Sequence, residues 1–189
     1  RARLKERTGE VQRLLVFFGG VDQADMTSRT LRAMSEMNNR RFAVDVVIGS
    51  GSAHRESVTA LAGEMEQVAV HVQTTEMAQL MAEADLSIGA GGTTTWERAY
   101  LGLPSLVVTV ADNQREMTDA VARAGVCRNL GWHEDVAESD IAEALTEMCA
   151  APQLLRKMSR QALGLSAREE ATGTMTVAQL LAEEVRVLA

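Results

Sequence analysis

Apolar residues in this chain fall in short continuous runs, and the stretches between them carry helical spacing. Leu14-Leu15-Val16-Phe17-Phe18 is the first run and stops at Gly19-Gly20. The next segment, about 25–38, places Leu31, Met34 and Met37 on one helical face. Ala43-Val44-Asp45-Val46-Val47-Ile48 is a second strand pattern ending at Gly49. A third covers Val68 to Val72, and a fourth, Leu86-Ser87-Ile88, ends at Gly89. The fifth covers Ser105 to Val110, and a sixth lies near Gly125 to Arg128. Val/Ile/Leu runs alternating with helices predict an α/β protein whose parallel sheet is covered on both faces. Right-handed crossovers close such a sheet as a doubly wound, Rossmann-like, three-layer α/β/α domain.

From about Ser139 the pattern is helical only. Ile141, Leu145 and Met148 share a face, Pro152 opens another helix with Leu154, Leu155 and Met158, and a last helix is predicted from Thr174 through Val177, Leu180, Leu181 and Val185. No Pro- or Gly-rich linker, repeat or low-complexity stretch divides the chain. The expected organisation is an incoming connector over 1–13 and one domain over 14–189. The chain opens on charged residues without an initiator Met, so a preceding N-terminal domain is expected.

Composition narrows the partner. Hydrophobic residues make up 46% and charged residues 24%, as in ordinary globular proteins. No run of apolar residues is long enough to span a bilayer, and no signal-type segment follows the basic start. A net charge of -7 and only 3% aromatics argue against nucleic acid. Cys127 and Cys149 lie far apart without metal-type spacing and are expected as free thiols in a cytoplasmic protein. Five of the 19 Lys and Arg fall in the first thirteen residues, so the rest of the chain is more acidic still and an anionic ligand would be held mainly by backbone N–H groups and helix N-termini.

Three glycine-rich loops follow predicted strands: Gly19-Gly20-Val21-Asp22, Gly49-Ser50-Gly51-Ser52, and Gly89-Ala90-Gly91-Gly92-Thr93-Thr94-Thr95. In open α/β sheets ligands bind at such strand ends. The dinucleotide pattern G-x-G-x-x-G fails at Gly49 and Gly89, where the sixth positions are His54 and Thr94, and no G-K-[ST] occurs. The second loop reads more simply as a tight turn. In the third, Thr94 and Glu97 have capping-box spacing, with Thr94 as N-cap. Glu97 therefore either caps the helix or accepts hydrogen bonds from two vicinal ribose hydroxyls; spacing does not choose between them. Trp96 reads as a packing residue. The helix from Trp96 to Leu101 stops at Gly102, with Pro104 beyond. Asn113 and Gln114 follow the fifth strand, either as an N-cap or as amides suited to sugar hydroxyls.

The block Gly89-Ala90-Gly91-Gly92-Thr93-Thr94-Thr95-Trp96-Glu97-Arg98-Ala99-Tyr100-Leu101-Gly102-Leu103-Pro104, followed by Asn113-Gln114, resembles the C-terminal domain of GT-B-fold nucleotide-sugar enzymes. That group includes the UDP-N-acetylglucosamine transferase of peptidoglycan synthesis. The closer resemblance is to the UDP-sugar hydrolase family of pseudaminic acid biosynthesis, which acts on UDP-2,4-diacetamido-2,4,6-trideoxy-β-L-altropyranose. Leu15 to Asp22 is similar to that family's F-G-G-x-D segment, and the T-x-W-E block with the N-Q pair favours the hydrolase branch. The resemblance covers about residues 12 to 130.

It implies roles. Gly91, Gly92, Thr93, Thr94 and Thr95 would bind the UDP diphosphate, and Glu97 the ribose. The loop after the third strand, with Gln73 and Thr74, would flank the uracil. Gly19, Gly20 and Asp22 would approach phosphate or sugar, and Asn113 and Gln114 the sugar. Water would attack the anomeric carbon, releasing UDP and the free sugar for surface polysaccharide synthesis, with no metal or organic cofactor. The family's general base, a histidine, belongs to the N-terminal domain. His54, His71 and His133 read as structural or surface residues, so no catalytic residue is expected here. The chain alone is expected to bind UDP-sugar weakly without turnover. The rival readings are the donor half of a UDP-sugar glycosyltransferase and a non-catalytic sugar-nucleotide-binding module.

Overall fold

A computed structural model describes residues 6–37 and 40–167, and the side chains of these up to 165. Six strands alternate with helices: β1 Arg13–Phe17, α1 Met26–Ser35, β2 Ala43–Ile48, α2 Arg55–Gly63, β3 Val68–Val72, α3 Met77–Glu83, β4 Leu86–Ala90, α4 Thr94–Tyr100, β5 Ser105–Thr109, α5 Arg115–Arg123 and β6 Cys127–Trp132. A 3-10 turn, Asp112–Gln114, precedes α5. Helices α6 Glu138–Cys149 and α7 Pro152–Ala167 complete the described part. The helix expected from Thr174 lies outside the described residues.

The sheet is parallel throughout, in the order β3-β2-β1-β4-β5-β6. This is the doubly wound, three-layer arrangement that the alternating runs predict. Strand periodicity divides the core. Leu14 and Val16 of β1, Val44 and Val46 of β2, Ile88 and Val108 face α1, α2 and α6 in one cluster. Leu15 and Val47 face the other side, with Leu80 and Met81 of α3 and Leu103. Ala99, Val107, Val121 and Val126 form a third cluster around α4 and α5. Helix α7 serves two clusters at once: Leu155 and Met158 enter the first, and Ala162 the third.

Several boundaries differ from the sequence reading. β4 continues through Gly89 and Ala90. A β-carbon at Gly89 would overlap the Phe17 carbonyl oxygen, so only glycine allows β1 and β4 to close at this end. β6 is longer than expected and runs to Trp132. Its edge position leaves Arg128 exposed and Asn129 half-buried, which hides the apolar pattern. A bulge opposite Val107 and Val108 inserts Leu130, and Gly131 turns with φ 112.

The segment before β1 is docked against the domain. Arg7 is buried; its main-chain N–H donates to Ser159 Oγ of α7 at 3.0 Å. Its guanidinium donates to the carbonyls of Met81 at 2.9 Å, Ala84 at 3.2 Å and Leu101, at the ends of α3 and α4. Those terminal carbonyls have no partner inside their helices, which is why a cation is held there. Asp45 of β2 carries a charge inside a buried strand, and it is bracketed by Arg13 at 2.8 Å and His71 Nε2 at 2.8 Å. Among the described residues no helix is long and apolar enough to cross a membrane.

Candidate functional site

The strand order reverses between β1 and β4, so the crossovers from these two strands leave on opposite faces and open a crevice at their carboxyl ends. The two loops lining that crevice are Phe18–Asp25 and Gly91–Thr93. They are the first and third glycine-rich loops of the sequence.

The first loop is tightly wound. Gly19 (φ 97), Asp22 (φ 45) and Asp25 (φ 52) all have left-handed backbone. Asp22 is 5% exposed, and its carboxylate accepts from Met26 N at 3.0 Å and Thr27 N at 2.8 Å. Its carbonyl also accepts from Asp25 N at 3.0 Å. Asp22 therefore satisfies the first free N–H groups of α1 from outside the helix. These bonds shape the loop that the resemblance brings to phosphate or sugar. Gly20, Val21 and Gln23 of this loop are exposed, and Gly19 is half-buried. The second loop is pressed against the first, because a β-carbon on Gly49 would overlap the Gly20 carbonyl.

The third loop differs from the capping-box reading. The N-cap of α4 is Thr93, not Thr94, and no side chain caps the helix. Glu97 is exposed, and among the described residues its side chain makes no hydrogen bond or ion pair. Its carboxylate is thus uncommitted at the first turn of α4. Thr93 is exposed, Gly92 and Thr94 are half-buried, and Gly91 and Thr95 are buried. Gly91 N donates to Val108 O at 3.2 Å, which ties the loop to the end of β5. A β-carbon at Gly91 would overlap Thr118 Oγ1 of α5, and that buried hydroxyl has no hydrogen-bond partner. Trp96 packs on the cluster around α4 and α5, as its sequence context suggests.

Gln114 closes the site from the β5 side. It occupies the N-cap position of α5 without capping it; its Oε1 accepts from Val110 N at 3.1 Å. Its amide nitrogen would lie 3.7 Å from a β-carbon at Gly92, next to the third loop. Asn113 is exposed and makes no side-chain hydrogen bond among the described residues. Gln73 has left-handed backbone (φ 52), and its Oε1 accepts from Ser50 N at 3.2 Å, linking the loops after β2 and β3. Thr74 Oγ1 accepts from Glu76 N at 3.0 Å. The structure thus brings Gly20, Gly91–Thr95, Glu97 and Gln114 to one sheet edge around the crevice, with Gln73 and Thr74 on the same edge beyond β2.

Sequence reasoning missed Arg98. It is 2% exposed, and its Nη2 donates to Ala90 O at 2.7 Å and to Thr95 Oγ1 at 3.0 Å. Nη1 lies under Gly89, while Nε has no partner. Burial lowers its pKa from 12.5 to about 10, opposed by the charges of Cys127 and Glu97. The available signal was its helical spacing from Thr95, which puts a cation on the inward face of a short helix.

The histidines have local partners or contacts. His54 Nδ1 lies 3.6 Å from Asp25, His71 pairs with Asp45, and His133 stacks beside Trp132. No three His, Cys, Asp or Glu side chains cluster as a metal site among the described residues.

A crevice at a topological switch point, lined by glycine loops, is where doubly wound domains bind their ligands. The chain belongs to the family described as the glycosyltransferase family 28 C-terminal domain, whose model matches residues 14–184. It is 30% identical over 137 residues to the spore coat polysaccharide biosynthesis protein SpsG of Bacillus subtilis (strain 168), covering 70% of this chain and 39% of SpsG. The chain thus spans about two fifths of that relative's length. Its fold matches Acinetobacter baumannii MurG with a TM-score of 0.67 at 20% identity, over 82% of this chain and 46% of MurG. The glycosyltransferase VinC, solved in complex with dTDP, matches with a TM-score of 0.64 at 17% identity, over 92% of this chain and 42% of VinC. These likenesses fix a GT-B-type fold.

Proposed function

We propose that this chain is the donor-binding half of a UDP-sugar hydrolase. The observation that carries the reading is the uncommitted carboxylate of Glu97, exposed one turn into α4 beside the Gly91–Thr95 loop at the switch point. A carboxylate can accept from both vicinal hydroxyls of a ribose, and the neighbouring backbone N–H groups suit a diphosphate. Gly19 and Gly20 approach from the opposite wall of the crevice. Asn113, with a free amide, and Gln114, beside Gly92, contact the sugar. Gln73 and Thr74 flank the uracil.

In the reaction proposed, water adds to the anomeric carbon and the bond from that carbon to the diphosphate oxygen breaks. UDP leaves with the bonding electrons, and a proton passes from water to a general base. His54 and His71 face aspartates of their own fold, so this reading assigns the base to a preceding domain of the same cytoplasmic protein. The diacetamido-trideoxy sugar released would feed surface polysaccharide synthesis, a direction that the description of SpsG also supports.

The donor half of a glycosyltransferase is the second reading, favoured by the family match and by the glycosyltransferase neighbours. Both readings share the nucleotide site. They separate when the full-length protein receives UDP-sugar alone: a hydrolase yields free sugar, whereas a transferase waits for an acceptor. For the shared site, isothermal titration of UDP compares wild type with Glu97→Ala. Loss of a charged hydrogen-bonding partner should cost about 1.5–3 kcal/mol, a weakening of roughly tenfold to a hundredfold. Unchanged affinity would remove the ribose assignment.

A further inference from the structure

Behind the Gly91–Thr95 loop lies a full positive charge with no acidic group bonded to it. The Arg98 guanidinium is enclosed between the end of β4 and the first turn of α4. It donates to one main-chain carbonyl and one hydroxyl, both neutral, and its Nε is buried without a partner. No carboxylate forms a salt bridge with it among the described residues. Its nearest acidic neighbour in sequence, Glu97, points to solvent.

A buried cation without a counter-ion is costly, and proteins seldom keep one for packing alone. Here the protein holds it where Ala90 and Thr95 bracket the proposed diphosphate loop. Two purely structural needs, a donor for Ala90 O and one for Thr95, could be met by a neutral amide. The charge is met only by the through-space pull of Glu97, and what it lacks is a bonded anion on the other side of the loop.

We propose that Arg98 is a positioning residue whose buried charge is completed by the diphosphate of the bound nucleotide, acting through the Ala90–Thr95 backbone without touching the ligand. The inference rests on the nucleotide reading above and deepens it. The guanidinium holds the loop open for its N–H groups to face the crevice, and its field favours the two phosphates over a neutral ligand. Because the guanidinium itself is buried, its field crosses the loop with less screening than that of a surface charge. With its pKa at about 10, Arg98 stays protonated at neutral pH.

The test compares two ligands on the same chain. Binding of UDP and of uridine is measured by ligand-observed NMR for wild type, Arg98→Gln and Arg98→Lys, and each protein's melting curve is recorded. Gln keeps a donor and removes the charge; Lys keeps the charge and loses the fork. The ratio of UDP to uridine affinity should fall about tenfold in Arg98→Gln, the scale of one charge acting across a protein surface, and stay within about twofold in Arg98→Lys. A purely structural role would weaken both ligands together and leave the ratio unchanged, and that result overturns the proposal. If Arg98→Gln does not fold, Arg98→Met, which keeps the buried stem without the charge, takes its place: a ratio that falls about tenfold supports the charge role, and an unchanged ratio refutes it. Wild type that binds neither ligand sinks the nucleotide reading itself, and the inference with it.

Discussion

Replacing Asp22 by alanine separates shaping a loop from touching a ligand. The side chain holds two main-chain N–H groups of α1, those of Met26 and Thr27, and sits in left-handed backbone at φ 45. Alanine removes both acceptors. Loss of a capping carboxylate costs about 0.5–2 kcal/mol. Left-handed backbone adds about 1–2 kcal/mol for a residue with a β-carbon and no local hydrogen bond. The sum is about 1.5–4 kcal/mol. For a chain of this size each kcal/mol moves the midpoint by about 2–4 °C, so thermal denaturation followed by circular dichroism should show a drop of roughly 3–15 °C. Asparagine tolerates left-handed backbone and keeps one acceptor, so Asp22→Asn should lose about half as much. UDP affinity, measured well below either midpoint, should stay within about twofold in both variants because the carboxylate is already engaged. An Asp22→Ala protein that melts like wild type but loses UDP binding would refute the reasoning and restore Asp22 to the ligand.

Other outcomes follow from the same site. Gly91→Ala should destabilise by about 1–3 kcal/mol through overlap with Thr118 Oγ1, and Thr118→Ala, which removes an unpartnered buried hydroxyl, should recover most of it. Urea denaturation of the two single variants and the double variant measures the coupling, and strict additivity contradicts the contact. Burial pushes the Cys127 thiol from 9.0 up to about 12. A folded value above the unfolded one stabilises fully below pH 9 and is lost as pH rises toward 12. The stability gap between wild type and Cys127→Ala should therefore narrow between about pH 8 and about pH 10.5, and a constant gap in denaturant titrations would count against that burial.

The sheet was legible because each strand is a continuous apolar run, and burial on both faces demands that pattern. β6 was only half legible because an edge strand exposes Arg128 and carries a bulge, both of which break the run. The binding loops could be located from glycines after strands. Which side chains stay free in them could not, because spacing alone gives Thr94 and Glu97 the form of a capping box. In three dimensions the N-cap falls one residue earlier, at Thr93, and Glu97 faces water. Asp22 and Arg98 were hidden for a related reason. A carboxylate in a glycine loop and an arginine in a short helix look like ligand and surface groups until their partners, the N–H groups of α1 and the Ala90 carbonyl, are placed in space.

The position of α7 bears on how the domain comes apart. This helix contributes Leu155 and Met158 to one side of the sheet and Ala162 to the other, and it receives the Arg7 N–H on Ser159. Neither layer can open without disturbing the same helix, so partial unfolding of one face is transmitted to the other. The minimal cooperative unit is therefore larger than the sheet and its crossovers. A chain cut after α6 would keep every strand and every loop of the crevice, yet it would have two loosely joined halves in place of a single melting transition.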